Sequence, residues 1–299
     1  MKLIGVDIGG TGIKSALIYC KKPSDGSTFK IMHRSSVPTE ARFGREHIVE
    51  NICKAIDNYR LRTDCSVIGI GSAGDIDDET GVVTYATSAL PGFTGLNLRG
   101  EIKGKFGGRV VVVNDAAAAL IGEVYVGGCK GERPMMLTLG TGLGCAMIED
   151  KSKLGSGSVN NIRLGHYILH EGGRDCRCGN KGCAEMYVSA TGLKLNGEED
   201  KVEEILYNPK YAGAVDAFCA DFRAVLVHAC EKYNPDEILI GGGVVEMAEQ
   251  WWDKLKNMCP PSVADRLQKA ALGNRAALLG SAYAALNGDY GKQMSYNTI

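Results

Sequence analysis

His166 and, ten residues further on, Cys176-Arg177-Cys178-Gly179-Asn180-Lys181-Gly182-Cys183 crowd an imidazole and three thiols into one short stretch. Zn²⁺ takes tetrahedral thiolate and imidazole ligands, and three cysteines with one histidine is one of its usual structural sets. Cys176-x-Cys178 puts two thiolates on one bend, Gly179 and Gly182 permit positive φ, and Cys183 folds back toward them. A disulfide loop or free thiols in a turn is the competing reading. Such dense thiols favour the metal.

Four other stretches carry chemistry. Asp7 precedes Gly9-Gly10-Thr11-Gly12, and Leu139-Gly140-Thr141-Gly142-Leu143-Gly144 repeats that pattern between apolar runs. A Gly/Thr turn can hold phosphate on its backbone N–H groups and the threonine hydroxyl, and a carboxylate at its mouth can hold Mg²⁺ directly or through water. The plain reading of each is an ordinary hairpin turn. Asn114-Asp115 stands between the apolar run 109–113 and an alanine-rich helix. Either residue can simply cap that helix, yet α/β enzymes keep reactive groups at strand ends of this kind. Gly241-Gly242-Gly243 ends another apolar run, where bare backbone would let a base or ribose lie flat.

The elements that must position these residues are readable by period. Residues 2–8 form a strand, the glycine turn follows, and 13–18 begin a second strand. Strand, turn, strand is a hairpin, so this is not the dinucleotide fingerprint, which needs a helix after its glycines, and the chain contains no G-x-x-x-x-G-K-[ST]. Helical spacing covers 46–61, 97–106, 211–232 and 244–257, with strands at 67–70, 109–113 and 236–240. Ser72-Ala73-Gly74-Asp75 is a loop at a strand end, and Thr84 to Gly95 is irregular. Residues 276–286 form a small-residue helix suited to close packing. The echo between residues 2–18 and 135–148 suggests two half-domains, each giving a phosphate-facing hairpin to a shared cleft.

Composition bounds the class. The 299 residues are 44% hydrophobic and 23% charged, which is a globular balance, and the net charge of −1 does not suggest nucleic acid or a membrane surface. The opening residues meet Asp7 before a signal-like apolar core can form, and no apolar run approaches the ~20 residues that span a bilayer. Eleven cysteines without a secretion signal fit a reducing, cytoplasmic setting. The eight outside the cluster, such as Cys53, Cys145, Cys219 and Cys230, read as small core residues.

Taken in order, these motifs resemble the ROK family (repressor, open reading frame, kinase) of the actin-like/hexokinase ATPase superfamily over essentially the whole chain. Asp7-Ile8-Gly9-Gly10-Thr11-Gly12-Ile13-Lys14 and Leu139–Gly144 match its two phosphate motifs, Gly241-Gly242-Gly243 its adenosine motif, and Asn114-Asp115 its catalytic pair. His166, Cys176, Cys178 and Cys183 match its zinc signature, with Glu185 in the sugar-contacting position after the last cysteine. The resemblance implies an α/β fold of two actin-like (ribonuclease H-like) lobes around a central cleft, each a mixed sheet flanked by helices. It places the first lobe at 1–117 with a returning C-terminal segment, 275–299, and the second, carrying the zinc loop, at 118–274. It further implies an ATP-dependent hexose kinase, usually acting at the 6-hydroxyl, with Mg²⁺ near Asp7, a structural zinc and homodimerisation. Gly9, Gly10, Thr11, Lys14, Gly140, Thr141, Gly142 and Gly241–Gly243 would take the nucleotide; Asp115, ionised at neutral pH, would accept the hydroxyl proton. Gly74, Asn114, Asp115, Arg163, His166 and Glu185 would line the sugar.

The match has departures. The family's Glu-x-Gly-His is Arg163-Leu164-Gly165-His166 here, its Asn before Leu-Pro-Gly is Ala89, and its Pro-Gly sugar loop is Ala73-Gly74. Arginine offers five donors and no acceptor, so the contact that a carboxylate would make is inverted. Arg163 either pairs with a nearby acid such as Glu185, or meets acceptor oxygens of an N-acetylated, ketose or acidic sugar. Two other functions compete with a kinase. Sugar-sensing repressors of the family carry a helix-turn-helix ahead of the first phosphate motif, which here begins within ten residues of Met1. A catalytically weakened sugar-binding protein is the second, against which stand Asp115 and both hairpins.

Overall fold

The computed structural model describes residues 1–60 and 65–290. Its backbone contacts divide into two compact units, one of Met1–Gly128, Asp150–Val159 and the chain from Ala276, the other of Cys129–Glu149 and Asn160–Arg275.

The first unit is built on a five-stranded sheet of order β3-β2-β1-β4-β7. Strand β2 (Gly12–Cys20) pairs antiparallel with β1 (Lys2–Ile8) on one side and with β3 (Phe29–Pro38) on the other. After α1 (Arg45–Arg60), β4 (Val67–Ser72) joins β1 in parallel. A small hairpin, β5 (Asp75–Asp77) and β6 (Val82–Tyr85), and α2 (Leu98–Phe106) then lead to β7 (Arg109–Asn114), parallel to β4. Strands β1, β4 and β7 are near-continuous apolar runs because both faces are covered. On one side Ile48, Ile52 and Ile56 of α1 join Ile4, Val6, Ile68 and Val112 in the core.

The other side is covered by α3 (Asp115–Gly122) and α9 (Ala276–Asn287), and here the small residues matter. A β-carbon on Gly5 would lie 2.2 Å from the Leu278 carbonyl oxygen, one on Gly69 2.0 Å from that of Ser281, and one on Gly280 1.8 Å from that of Ala118. The close packing expected of residues 276–286 is therefore contact of backbone with backbone. Arg109 secures the end of α9, donating to the carbonyls of Ala285 at 2.5 Å and Gly288 at 2.6 Å. The boundary expected at 117/118 falls inside α3, whose residues 116–122 are all buried. A helix packed along its full length leaves no place to divide, and the unit runs on to Gly128.

The second unit repeats the plan. Its sheet has the order β10-β9-β8-β11-β12. The hairpin of β8 (Pro134–Leu139) and β9 (Leu143–Ile148) corresponds to β1–β2, with β10 (Val159–Asn161) beyond β9. Then come α4 (Ala190–Gly197), α5 (Val202–Tyr207), α6 (Ala212–Tyr233) and β11 (Glu237–Gly241), which is parallel to β8. The span 244–257 is not one helix. A 3₁₀ stretch, Gly243–Gln250, is broken by non-helical Met247, and α7 (Trp252–Met258) follows. After α8 (Pro261–Ala264), β12 (Leu267–Lys269) closes the sheet in parallel with β11. Phe218, Phe222 and Trp251 form the aromatic centre of this core. Of the eight cysteines outside the metal-type cluster, six are buried, and Cys129 and Cys230 are half-buried. No helix among the described residues is long and apolar enough to cross a membrane.

Candidate active site

In the first unit β7 ends on Asn114, and α3 begins on Asp115. Asn114 is the N-cap: its Oδ1 accepts from the Ala117 N–H at 3.0 Å. Its amide nitrogen donates to the Gly74 carbonyl at 2.9 Å and to Asp115 Oδ1 at 3.0 Å. Both donors and one acceptor position are thus used within the unit. Of the two readings of this pair, capping is met by Asn114, which also hydrogen-bonds the Asp115 carboxylate. Gly74 takes φ +103, with its carbonyl turned to Asn114.

Asp115 is not an ordinary carboxylate. Burial raises its pKa, the charge of Asp7 raises it further, and hydrogen bonds from the Ala116 N–H and Asn114 hold it down, leaving it at about 6. Expected at the usual carboxylate value, it instead titrates just below neutrality, in the range suited to a general base. Asp7 is itself raised by burial, against the pull of Lys14, whose Nζ is 3.5 Å from Asp7 Oδ2. Two half-buried carboxylates in electrostatic contact suit a divalent cation, which lowers the cost of both charges.

The turn after Asp7 is closed by Gly9 N–H donating to the Gly12 carbonyl at 3.0 Å. Ala89, the residue in the family's Asn position, packs on this turn: a β-carbon on Gly10 would meet Ala89 Cβ at 2.9 Å.

In the second unit Gly140 N–H closes the matching turn on the Gly142 carbonyl at 3.1 Å. At the end of β11, Gly242 takes φ +97, and a β-carbon there would lie 2.4 Å from the Leu139 carbonyl oxygen, whereas one on Gly243 would meet nothing within 4 Å. Close packing explains the second glycine of the triplet and open backbone the third.

His166, Cys176, Cys178 and Cys183 converge as expected, with one ligand atom from each lying within 4.8 Å of all the others. Cys178 Sγ is 3.5 Å from Cys183 Sγ, and Cys176 Sγ is 3.8 Å from His166 Nδ1. Thiolates around zinc at its normal bond length stand about 3.8 Å apart, so the donor set fits that ion. Gly179 and Gly182 have φ +94 and +77, as the fold-back requires. Burial pushes the Cys183 thiol up to about 11 and Cys176 higher still.

Glu185, on a 3₁₀ turn directly after Cys183, joins this cluster. Its Oε1 accepts from the Cys176 thiol at 2.9 Å and lies 3.5 Å from His166 Nδ1. Its Oε2 reaches the phosphate-type turn, since a β-carbon on Gly142 would be 2.4 Å from it. Arg163 stands at the head of the 3₁₀ turn that carries His166, its carbonyl accepting from the His166 N–H at 3.0 Å.

The family model for the ROK family matches residues 3–287. The chain belongs to the ROK family. Among the relatives of this ROK protein, the glucokinase of Thermotoga maritima is 29% identical over 315 residues, covering 94% of this chain and 96% of that one. An N-acetyl-D-glucosamine kinase of Aliivibrio salmonicida is 28% identical, covering 93% and 98%. The ROK family glucokinase of Streptomyces griseus, solved in complex with glucose and AMPPNP, superposes with a TM-score of 0.81 at 25% identity, covering 95% and 99%. The mixed sheets flanked by helices are those of the actin-like ROK kinases.

Several site features were not legible in the sequence. Nothing local marked Thr39 or Thr191, which hydrogen-bond the two glycine turns. A signal did exist for Ser189, whose hydroxyl caps α4 by accepting from the Gly192 N–H at 3.1 Å: a serine directly before a helical run.

Proposed function

We propose that this protein is an ATP-dependent sugar kinase that phosphorylates a hexose at the 6-hydroxyl, with Asp115 as the general base. The observation that carries the reading is the half-buried Asp115 carboxyl held by Asn114 and the Ala116 N–H at the head of α3, where desolvation and Asp7 raise its pKa to about 6. At neutral pH it is mostly ionised and still basic enough to draw a proton. The sugar oxygen bonds to the γ-phosphorus as the bond to the ADP oxygen breaks, and the hydroxyl proton passes to the Asp115 carboxylate. Kinship to a glucokinase and a structural likeness to one holding glucose and AMPPNP support both substrates.

The remaining roles follow from the chemistry of each group. Mg²⁺, held by Asp7 directly or through water, would neutralise phosphate charge. With Gly9 and Gly140 closing the turns through their own N–H groups, the amides of Gly10 and Thr11 and of Thr141 and Gly142 would bind phosphate oxygens, with Lys14 adding positive charge. Gly241, Gly242 and Gly243 would offer bare backbone to adenosine. Gly74, Asn114, Arg163, His166 and Glu185 would orient the sugar, Asn114 mainly by holding Asp115. Zinc on His166, Cys176, Cys178 and Cys183 is structural, because four protein ligands leave no open position. As a thiolate ligand Cys176 has no proton to donate, so Glu185 Oε1 becomes an acceptor for a sugar hydroxyl. Homodimerisation is proposed from the family alone.

A second reading concerns the sugar. Arg163 and Ala89 stand where glutamate and asparagine are expected, and an N-acetyl-D-glucosamine kinase is among the relatives. An N-acetylhexosamine of the N-acetylglucosamine or N-acetylmannosamine type, or fructose, is the alternative substrate. Coupled ADP release over glucose, mannose, fructose, both N-acetylhexosamines and a uronic acid decides between them, with Asp115→Ala as the control. Sugar binding without ADP release from any of them would instead identify a sugar-binding protein that has lost catalysis.

A further inference from the structure

Both glycine turns have their carbonyls tied back in the same way, by one backbone N–H and one threonine hydroxyl from a distant segment. In the first unit Thr39, at 0% exposure, donates its hydroxyl to the Gly9 carbonyl at 2.5 Å and its N–H to the Thr11 carbonyl at 3.1 Å. In the second, the Ala190 N–H donates to the Gly140 carbonyl at 2.9 Å and the Thr191 hydroxyl to the Thr141 carbonyl at 2.7 Å. In a trans peptide the C=O and the following N–H point in opposite directions. Tying back Gly9 and Thr11 therefore turns the Gly10 and Gly12 N–H groups the other way. Tying back Gly140 and Thr141 does the same for Thr141 and Gly142, whose N–H groups have no acceptor among the described residues.

We propose that Thr39 and Thr191 are positioning residues that set the phosphate-binding amides of the two turns. The inference rests on the reading of these turns as phosphate sites. It extends that reading in the second unit to the metal-type loop. The Ser189 hydroxyl donates to the Glu185 carbonyl at 2.6 Å while capping α4, so the 3₁₀ turn after Cys183 and the residues that hold Gly140 and Thr141 form one hydrogen-bonded support. Preorganised amides bind an anion without first having to be ordered, so a turn freed from its threonine binds nucleotide more weakly while a separate sugar contact is untouched.

The test is titration calorimetry with magnesium AMPPNP on Thr191→Val, which keeps the shape and deletes the hydroxyl, beside Thr191→Ser, which restores it. Thr39→Val and Thr39→Ser form the second pair. Because Thr39 is wholly buried, its melting temperature is measured alongside, and Thr191, at the start of a helix, carries the test if the Thr39 variant fails to fold. Loss of one such bond should weaken nucleotide binding about three- to tenfold in each valine variant. Near-normal affinity should return in the serine variants, with KM for the accepted sugar unchanged in the Thr39 pair. Valine variants that match the unaltered protein in nucleotide affinity would overturn the inference alone. If the unaltered protein binds no magnesium AMPPNP, the phosphate reading falls and the inference with it.

Discussion

Asp7 and Asp115 are coupled across the sheet of the first unit by a single glycine. Gly71 on β4 is paired with Asp7 on β1, and a β-carbon at Gly71 would meet Ala118 Cβ at 3.0 Å and Asp115 Cα at 3.5 Å. Any larger residue would push α3 away from β1. The consequence is chemical as well as steric. Burial first, and the charge of Asp7 second, hold the Asp115 carboxyl at about 6.

Activity should therefore have an acid limb. As the proposed base Asp115 would work ionised, so kcat/KM should fall as pH drops through about 6. Asp7→Asn removes a charge that raises the pKa, so the limb in its residual activity should move to lower pH. Asn114→Ala removes a hydrogen bond to the ionised form, so its limb should move to higher pH, with a loss of about 1 kcal/mol in stability from the missing cap. A limb that stays fixed in both variants would assign it to another group.

Replacing Asp115 should trade activity for stability. Its folded-state pKa lies above the ordinary carboxylate range, so its contribution to stability is full at low pH and is lost as pH rises through about 6. At pH 8 Asp115→Asn should be the more stable protein, by up to about 3 kcal/mol, while kcat falls by on the order of 10²–10⁴. Chemical denaturation at pH 8 and pH 4 checks the sign, because the difference should vanish at the lower pH.

The four-ligand cluster should bind one zinc per chain, and Cys178→Ser should lower both metal content and melting temperature. Ligands must lose their protons, so zinc affinity should rise with pH, most steeply where the raised Cys183 thiol competes. Metal analysis beside a melting curve reads both. Full zinc content in Cys178→Ser would remove that residue from the ligand set.

The packing of α9 offers a stability test remote from chemistry. A β-carbon on Gly280 would lie 1.8 Å from the Ala118 carbonyl oxygen, with no side chain able to move aside. Gly280→Ala should cost about 3 kcal/mol or more. Gly104, exposed inside α2 with nothing within 4 Å, is the counterpart: Gly104→Ala should stabilise by roughly 0.5–1 kcal/mol.

Sugar choice should turn on residue 163. Arg163→Glu restores an acceptor carboxylate and should raise kcat/KM for glucose relative to the N-acetylhexosamines and a uronic acid. An unaltered order of preference would show that Arg163 does not contact the sugar.

The sequence alone determined the motifs whose parts are neighbours in the chain. The glycine turns, the Asn114-Asp115 junction, the glycine triplet and the ligand spacing from His166 to Cys183 are short-range patterns, and turn geometry or ligand number constrains them without reference to the rest of the fold. The small-residue helix at 276–286 was equally legible, because glycine and alanine at helical spacing have few uses other than close approach. Only tertiary structure decided what those motifs do to one another. The Asp115 carboxyl stands at about 6 because of burial and of Asp7, more than a hundred residues away in the chain, and neither influence has a local signature. Asn114 is cap and holder of Asp115 because the Gly74 carbonyl arrives to take its other donor. Thr39 acts on a carbonyl 30 residues away and Thr191 on one 50 away. Hydrogen-bond partners and desolvation are properties of what the folded chain brings alongside, and that is set by sheet order and helix packing rather than by the residues themselves.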